Sequence, residues 1–190
     1  MSGKQAKILL QRHTNELLCY ASTRRHSHTA RVIVLLSLKA GLRAGEIAHL
    51  TWDMIVTPSG DISSVIELRD SAAKNGSGRT IPVHPDLARA LDELSRLDRF
   101  GPVIRSERGG PMRASTIVAW FARAFAATGL EGCSSHSGRR TFITQAARMV
   151  HKAGGSLRDI QLLAGHRSLQ TTERYIDGDT DIQRRLVAML

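Results

Sequence analysis

Aromatic residues are scarce in this 190-residue chain, which has two Trp, two Tyr and four Phe. The core must therefore be largely aliphatic, and a sheet that stacks unpaired bases on exposed rings is excluded. Cysteine is scarcer still. Cys19 and Cys133 stand far apart with no CxxC pair, which argues against a disulfide framework or a cysteine zinc site and points to a reducing compartment. No stretch approaches the roughly 18 apolar residues of a membrane helix. The longest apolar run, residues 32–38, is interrupted by Ser37 and followed by Lys39. With no signal-peptide pattern at the N-terminus, the expected protein is soluble and cytoplasmic. A GxxxxGK[ST] phosphate loop is absent, so nucleotide hydrolysis is unsupported, and residues 76–80 read instead as a hairpin turn. HExxH and paired-carboxylate clusters are absent too, and His26 and His28 have no further ligands nearby, so no metal and no cofactor is expected.

Acidic residues are also few, 17 against 27 Lys and Arg, for a net charge of +10. The excess is concentrated. Residues 1–45 hold eight basic side chains and one acid, Glu16, a net +7, whereas the remaining 145 residues balance to +3. Concentrated positive charge suits a polyphosphate partner, because neutralised phosphates release condensed counterions. A solvated cationic helix face or attraction to a membrane surface would look the same by charge alone. The 42% hydrophobic content is ordinary for a globular protein and argues against a disordered basic arm.

Apolar periodicity predicts helices over 4–21 and 28–41, the second with Thr29 as a candidate start and Gly41 as its stop. A short helical turn over 44–50 precedes a β-prone run at 52–56, a turn at 58–60, and strands over 62–68 and 79–83. The two later strands are joined by a polar connection, residues 70–78, that holds Lys74. Pro85 opens a helix in which Leu87, Leu91, Leu94 and Leu97 form one buried face. Ser115 is positioned to cap a helix with Ile117, Val118, Phe121 and Phe125 on its apolar side, closed by Gly129. Helices are again expected over 137–150, 156–164 and 169–176, broken by Gly154, Gly155 and Gly165. There is no internal repeat, low-complexity segment or dividing linker. The expected architecture is mainly α with a small three-stranded antiparallel β-sheet on one edge.

Cationic side chains sit in well-punctuated contexts. Arg43 follows the Gly41 helix stop, with Glu46 three residues on, on the same face of a helical turn. His136 and Arg139 lie three apart at a helix start, where backbone N–H groups also favour an anion. His166 stands at a loop-to-helix junction, nine residues before Tyr175.

Five segments in order, 40–47 (AGLRAGEI) with Trp52 after it, Lys74 in the hairpin, 136–142 (HSGRRTF), 163–166 (LAGH) and 171–175 (TTERY), resemble the catalytic domain of the tyrosine recombinase or phage integrase family. The resemblance spans roughly residues 28–177 and implies the family's DNA breaking–rejoining fold and a site-specific DNA strand transferase. In that reading Tyr175 attacks the scissile phosphate, giving a 3′-phosphotyrosyl link and a free 5′-hydroxyl without metal or nucleotide. Arg43 and Arg139 clamp the non-bridging oxygens, and Lys74 protonates the departing 5′-oxygen. His136 assists proton transfer with Tyr175, His166 donates a hydrogen bond to the phosphate, and Glu46 orients the arginines. Arg24, Arg25, Arg79 and Arg140 are candidate contacts to the rest of the DNA.

The resemblance further implies double-stranded DNA as partner, a homodimer or homotetramer on DNA with a free monomer as the alternative, and a nucleoid association if the source is prokaryotic. Residues 1–179 are expected to form the catalytic domain without a separate N-terminal domain, and 180–190 a tail helix that docks in cis or onto a neighbouring subunit. The segment departs from the family at Gly138 and Arg140, where leucine before the arginine and histidine after it are usual. A glycine at a helix start costs up to roughly 1 kcal/mol relative to alanine. A type IB topoisomerase and a DNA-binding regulator without catalysis remain as alternative readings.

Overall fold

The computed structural model describes residues 6–73, 76–97, 99–175 and 187–189. Residues 32–38, VIVLLSL, lack a polar stripe at helical spacing, and a helix with no polar side must be covered all round. They form the middle of α2 (Ser27–Lys39), where every side chain from Val32 to Leu38 is buried. Around it pack α1 (Gln11–Ser22), α3 (Ala44–His49), α4 (Pro85–Ser95) and α6 (Ser137–Met149), while α5 (Ala114–Ala127) covers α1 and α3. Burying each large aliphatic side chain contributes about 1.5–3 kcal/mol, so α2 is the main apolar anchor.

The sheet has two strands rather than three. β1 (Val65–Leu68) pairs antiparallel with β2 (Arg79–Pro82), Ile66 opposite Ile81 and Leu68 opposite Arg79. The run expected as the first strand makes a 3-10 turn, Trp52–Met54, followed by a single bridge between Val56 and Ile62. A strand would have turned one of Trp52, Met54 and Ile55 away from the core, whereas the turn buries all three. Other boundaries shift for similar reasons. Leu97 lies beyond the end of α4 and is exposed, as is Val118 on α5, and Arg113, not Ser115, occupies the N-cap of α5.

α6 continues into a 3-10 turn, Val150–Ala153, and then α7 (Leu157–Ala164) and α8 (Leu169–Glu173) complete the order. Ile143, Val150, Ile160 and Ala164, with Phe142, Ala146 and Tyr175 against them, form a second and much smaller apolar cluster. The described residues therefore form two cores, one around α2 and one between α6 and α7, and α6 packs against α2 while giving its apolar side chains to the second. The tail expected over 180–190 lies outside the described residues except for 187–189, where Val187 and Met189 are exposed.

Gly138 has a packing reason that outweighs its helix cost. A Cβ there would stand 2.2 Å from Ser37 Oγ and 3.0 Å from Ser37 Cβ, so α2 and α6 can approach this closely only with glycine at the crossing. Gly138→Ala is expected to lower stability by about 1–3 kcal/mol in urea unfolding, as over-packing does. Adding Ser37→Ala, which removes the nearest atom, is expected to restore part of that loss.

Candidate active site

The ends of α2 and α7 converge where the two cores meet. Gly41, just after α2, has φ +64°, and a Cβ there would penetrate the Phe142 ring at 2.4 Å, so only glycine turns the chain at this point. Gly165 ends α7 in the same left-handed conformation, at φ +62°. These turns leave the carbonyls of Gly41, Leu163 and Ala164 without helical partners, and two arginines take them up. Arg139, from the first turn of α6, donates Nη1 to Gly41 O at 2.6 Å and Nη2 to Ala164 O. Arg79, at the start of β2, donates Nε to Leu163 O at 2.9 Å.

Arg79 also meets a buried carboxylate, which it shares with Arg43. Glu46, on α3 with its side chain 1% exposed, accepts from Arg43 Nη1 at 2.8 Å on Oε1 and from the Arg43 backbone N–H at 2.9 Å on Oε2. Arg79 lies across the same group, Nη1 to Oε1 at 3.0 Å and Nη2 to Oε2 at 3.1 Å. Burial alone would push the Glu46 carboxyl up. The hydrogen bond and charge of Arg79, with those of Arg43, outweigh it and hold the group below the ordinary carboxylate range. The Arg139 guanidinium, 3% exposed, is lowered to about 10 by burial and then by the charge of Arg43, and stays protonated at neutral pH.

His166 follows the Gly165 turn and is buried, Nδ1 within 3.0 Å of the Thr172 hydroxyl. Its ring stacks on that of Tyr175, centroids 5.3 Å apart and planes 26° from parallel. Burial, then the positive charges of Arg139, Arg43 and Arg79, lower the imidazole to about 4, so His166 is neutral at pH 7. Tyr175 is half-buried, and its carbonyl accepts from Thr144 Oγ1 at 3.1 Å, which fastens it to α6.

Two adjoining hollows open on this group. One of about 450 Å³ is lined by Arg43, Glu46, His49, residues 71–73 of the strand connection, the start of α5 and His136. The other, about 260 Å³, is lined by Ala6, His136, Arg140, Thr171, Arg174 and Tyr175. His136, exposed at the N-cap of α6, borders both.

The structure thus gathers Arg43, Glu46, Arg139, His166 and Tyr175, with His136 at the rim and Arg140 beside Tyr175. Lys74 lies outside the described residues, although Gly78 N donates to Asp70 Oδ1 at 2.8 Å and closes the base of its connection. Arg24 and Arg25 are not part of the group. They sit beyond the other end of α2, Arg24 over the Tyr20 ring at 4.4 Å and Arg25 beside Glu107. Arg79 is not the surface contact expected of it, because its side chain is 5% exposed and bound to Glu46 and Leu163. Strand alternation carries the signal that identifies it. Arg79 shares parity with Ile81, which is buried, and therefore points inward. Thr172, wholly buried against His166, is the other residue whose part in the site the sequence reading did not assign.

A model of the phage integrase family matches residues 7–181. The chain is 31% identical over 160 residues to the tyrosine recombinase XerC of Brucella suis, covering 81% of this chain and 47% of that protein. It is 34% identical over 157 residues to the XerC of Methylobacterium nodulans, covering 80% and 45%. The chain spans about half the length of the curated relatives it matches. Among solved structures, the XerA recombinase superposes with TM-score 0.75 at 22% identity, covering 98% of this chain and 65% of that one. A lambda integrase dimer bound to a COC′ core site gives 0.72 at 22% identity, covering 93% and 49%. These structural likenesses establish the fold.

The depressed His166 pKa makes a signed prediction. A histidine that titrates near 6.5 unfolded and about 4 folded adds stability above pH 6.5 that is lost as pH falls through about 4. Between pH 7 and pH 4, wild type is expected to lose roughly 2–3 kcal/mol more unfolding free energy than His166→Gln, measured by urea titration.

Proposed function

The chain belongs to the phage integrase family, and on that premise we propose that it is the catalytic unit of a site-specific tyrosine recombinase, cleaving and rejoining DNA through a phosphotyrosyl intermediate. The observation that carries the reading is the meeting of Tyr175 and His166 with Arg43, Arg139 and Glu46 where the ends of α2 and α7 converge. Tyr175 Oη attacks phosphorus, the P–O5′ bond breaks, and the phenol proton passes to His136 at the rim. Lys74 supplies a proton to the leaving 5′-oxygen. The bond energy stays in the phosphotyrosyl ester, so a 5′-hydroxyl from either strand reverses the step without an external energy source.

The charged groups have distinct parts in this scheme. Arg43, with 26% of its side chain exposed, is the accessible cation for a non-bridging oxygen. Arg139 acts from beneath, where low dielectric strengthens its field on the charge that develops at phosphorus. In the tautomer this role requires, Nδ1 accepts from the Thr172 hydroxyl and the neutral His166 donates a hydrogen bond from Nε2 to the phosphate. The relatives named as recombinases and the DNA-bound lambda integrase dimer support double-stranded DNA as the partner, with assembly as a dimer or tetramer on it. A cytoplasmic setting fits that substrate. Among the described residues no helix is long and apolar enough to cross a membrane. We assign the catalytic unit to residues 1–179 and leave the tail after it as a docking segment.

Incubated with nicked suicide DNA duplexes in EDTA, wild type is expected to give a covalent protein–DNA adduct on a denaturing gel, and Tyr175→Phe none. Arg139→Lys should slow adduct formation about 10²–10³-fold, because an ammonium cannot reproduce the two-pronged bonding. Exchanged strands rather than relaxed supercoils distinguish a recombinase from a topoisomerase. Absence of an adduct on every candidate site favours a DNA-binding role without catalysis.

A further inference from the structure

We infer that Arg79 is a positioning residue for the reactive group: it holds the Glu46 carboxylate from one side and the end of α7 from the other, and so sets where Arg43 and His166 stand. Its consequence for cleavage rests on the recombinase reading above; its consequence for Arg43 does not. Arg79 is not matched to any reacting atom in that reading, and its burial removes it from direct contact with DNA.

All three guanidinium nitrogens have partners. Nη1 and Nη2 span the two oxygens of Glu46, and Nε reaches Leu163 O, two residues before the Gly165 turn that presents His166. The fit is close on the α7 side as well, because a Cβ at Gly165 would lie 2.9 Å from Arg79 Cδ. On Glu46, each oxygen accepts from both arginines: Oε1 from the Nη1 of each, Oε2 from Arg79 Nη2 and the Arg43 backbone. Arg43 therefore engages the carboxylate through a single side-chain nitrogen, which directs the rest of its fork elsewhere.

Loss of Arg79 changes that division. The carboxylate remains buried with half of its donors gone, and a buried carboxylate draws in whatever cation is near. Arg43 would rotate onto both oxygens in the paired geometry that arginine favours, withdrawing from the hollow in which the phosphate binds. At the same time Leu163 O loses its donor and the turn that carries His166 loses its tie to β2. Lysine is a partial substitute, since one ammonium cannot span a carboxylate and a peptide carbonyl at three fixed directions.

The test uses the full chain as wild type, Arg79→Met, Arg79→Lys, Glu46→Gln and Arg79→Met with Glu46→Gln. The ¹⁵N–¹H resonance of the Arg43 side chain, assigned by its loss in Arg43→Lys, is followed in DNA-free protein. It is expected to move in Arg79→Met and to move less in Arg79→Lys. Adduct formation on a suicide duplex is expected to fall about 10²-fold in Arg79→Met, the scale of a small misplacement of catalytic groups, with DNA affinity unchanged. Glu46→Gln, damaging by itself, should cost nothing further in the Arg79→Met chain, because the unopposed carboxylate is gone. An Arg43 resonance that stays at its wild-type position in Arg79→Met overturns the proposal. So do losses from Arg79→Met and Glu46→Gln that simply multiply, as independent structural defects would. Should Arg79→Met fail to fold, Arg79→Lys carries both readouts, with an adduct rate about tenfold down. If wild type itself gives no adduct, the recombinase reading fails, and the Arg43 resonance alone decides the part played by Arg79.

Discussion

Everything at the reactive centre hangs on two guanidinium groups that bridge two apolar cores. Arg139 ties the carbonyl after α2 to the carbonyl at the end of α7, and Arg79 ties Glu46 on α3 to the residue before that end. The larger core holds α2, α3 and the hairpin; the smaller holds the second half of α6, α7 and Tyr175. Four fully buried apolar residues make a weak core by themselves. The charged bonds, strengthened by burial, fix its placement against the larger one. Arg43, proposed to bind phosphate, and Tyr175, proposed to attack it, arise on opposite sides of this seam, so the seam is where the reaction geometry is determined.

The same arrangement fixes the electrostatics. Arg43, Arg79 and Arg139 crowd one carboxylate, which neutralises only part of their charge. Burial first, and then this excess, lower the basicity of His166. In the proposed reaction a single phosphate supplies the missing negative charge, and the cations that receive it are held beforehand by the Glu46 carboxylate and main-chain carbonyls.

Much of this was legible in the sequence, and the failures have a common cause. The helices followed from periodicity and from the stops at Gly41, Gly129 and Gly165, all of which have positive φ, except that the first, expected over 4–21, begins only at Gln11. Arg43, Glu46, Arg139, His166 and Tyr175 were identified together through the resemblance of their segments to a known family, since spacing within each short segment does not bring distant segments to one place. The run from residue 52 was misread because its apolar spacing fits a strand as well as a turn, and only the neighbouring core decides that Trp52, Met54 and Ile55 all go inward. Gly138 was assessed for its helix propensity, whereas the deciding contact, Ser37, is a hundred residues away in sequence. Arg79 was read as a candidate contact to DNA, although the alternation of β2 turns it inward, and its partner Glu46 lies on a separate element. Local chemistry was readable; pairings across the chain were not.

The two bridging arginines grip main-chain carbonyls on α7 rather than side chains. A peptide oxygen is the same whatever residue carries it, so the bridge itself sets no identity at 163 or 164, where Ala164 answers only to its burial in the smaller core, provided the backbone still turns at 165. The inheritance of this seam is therefore written in two unlike alphabets: on one side arginines for which lysine is only a partial synonym, and on the other a path of the chain turned by one glycine.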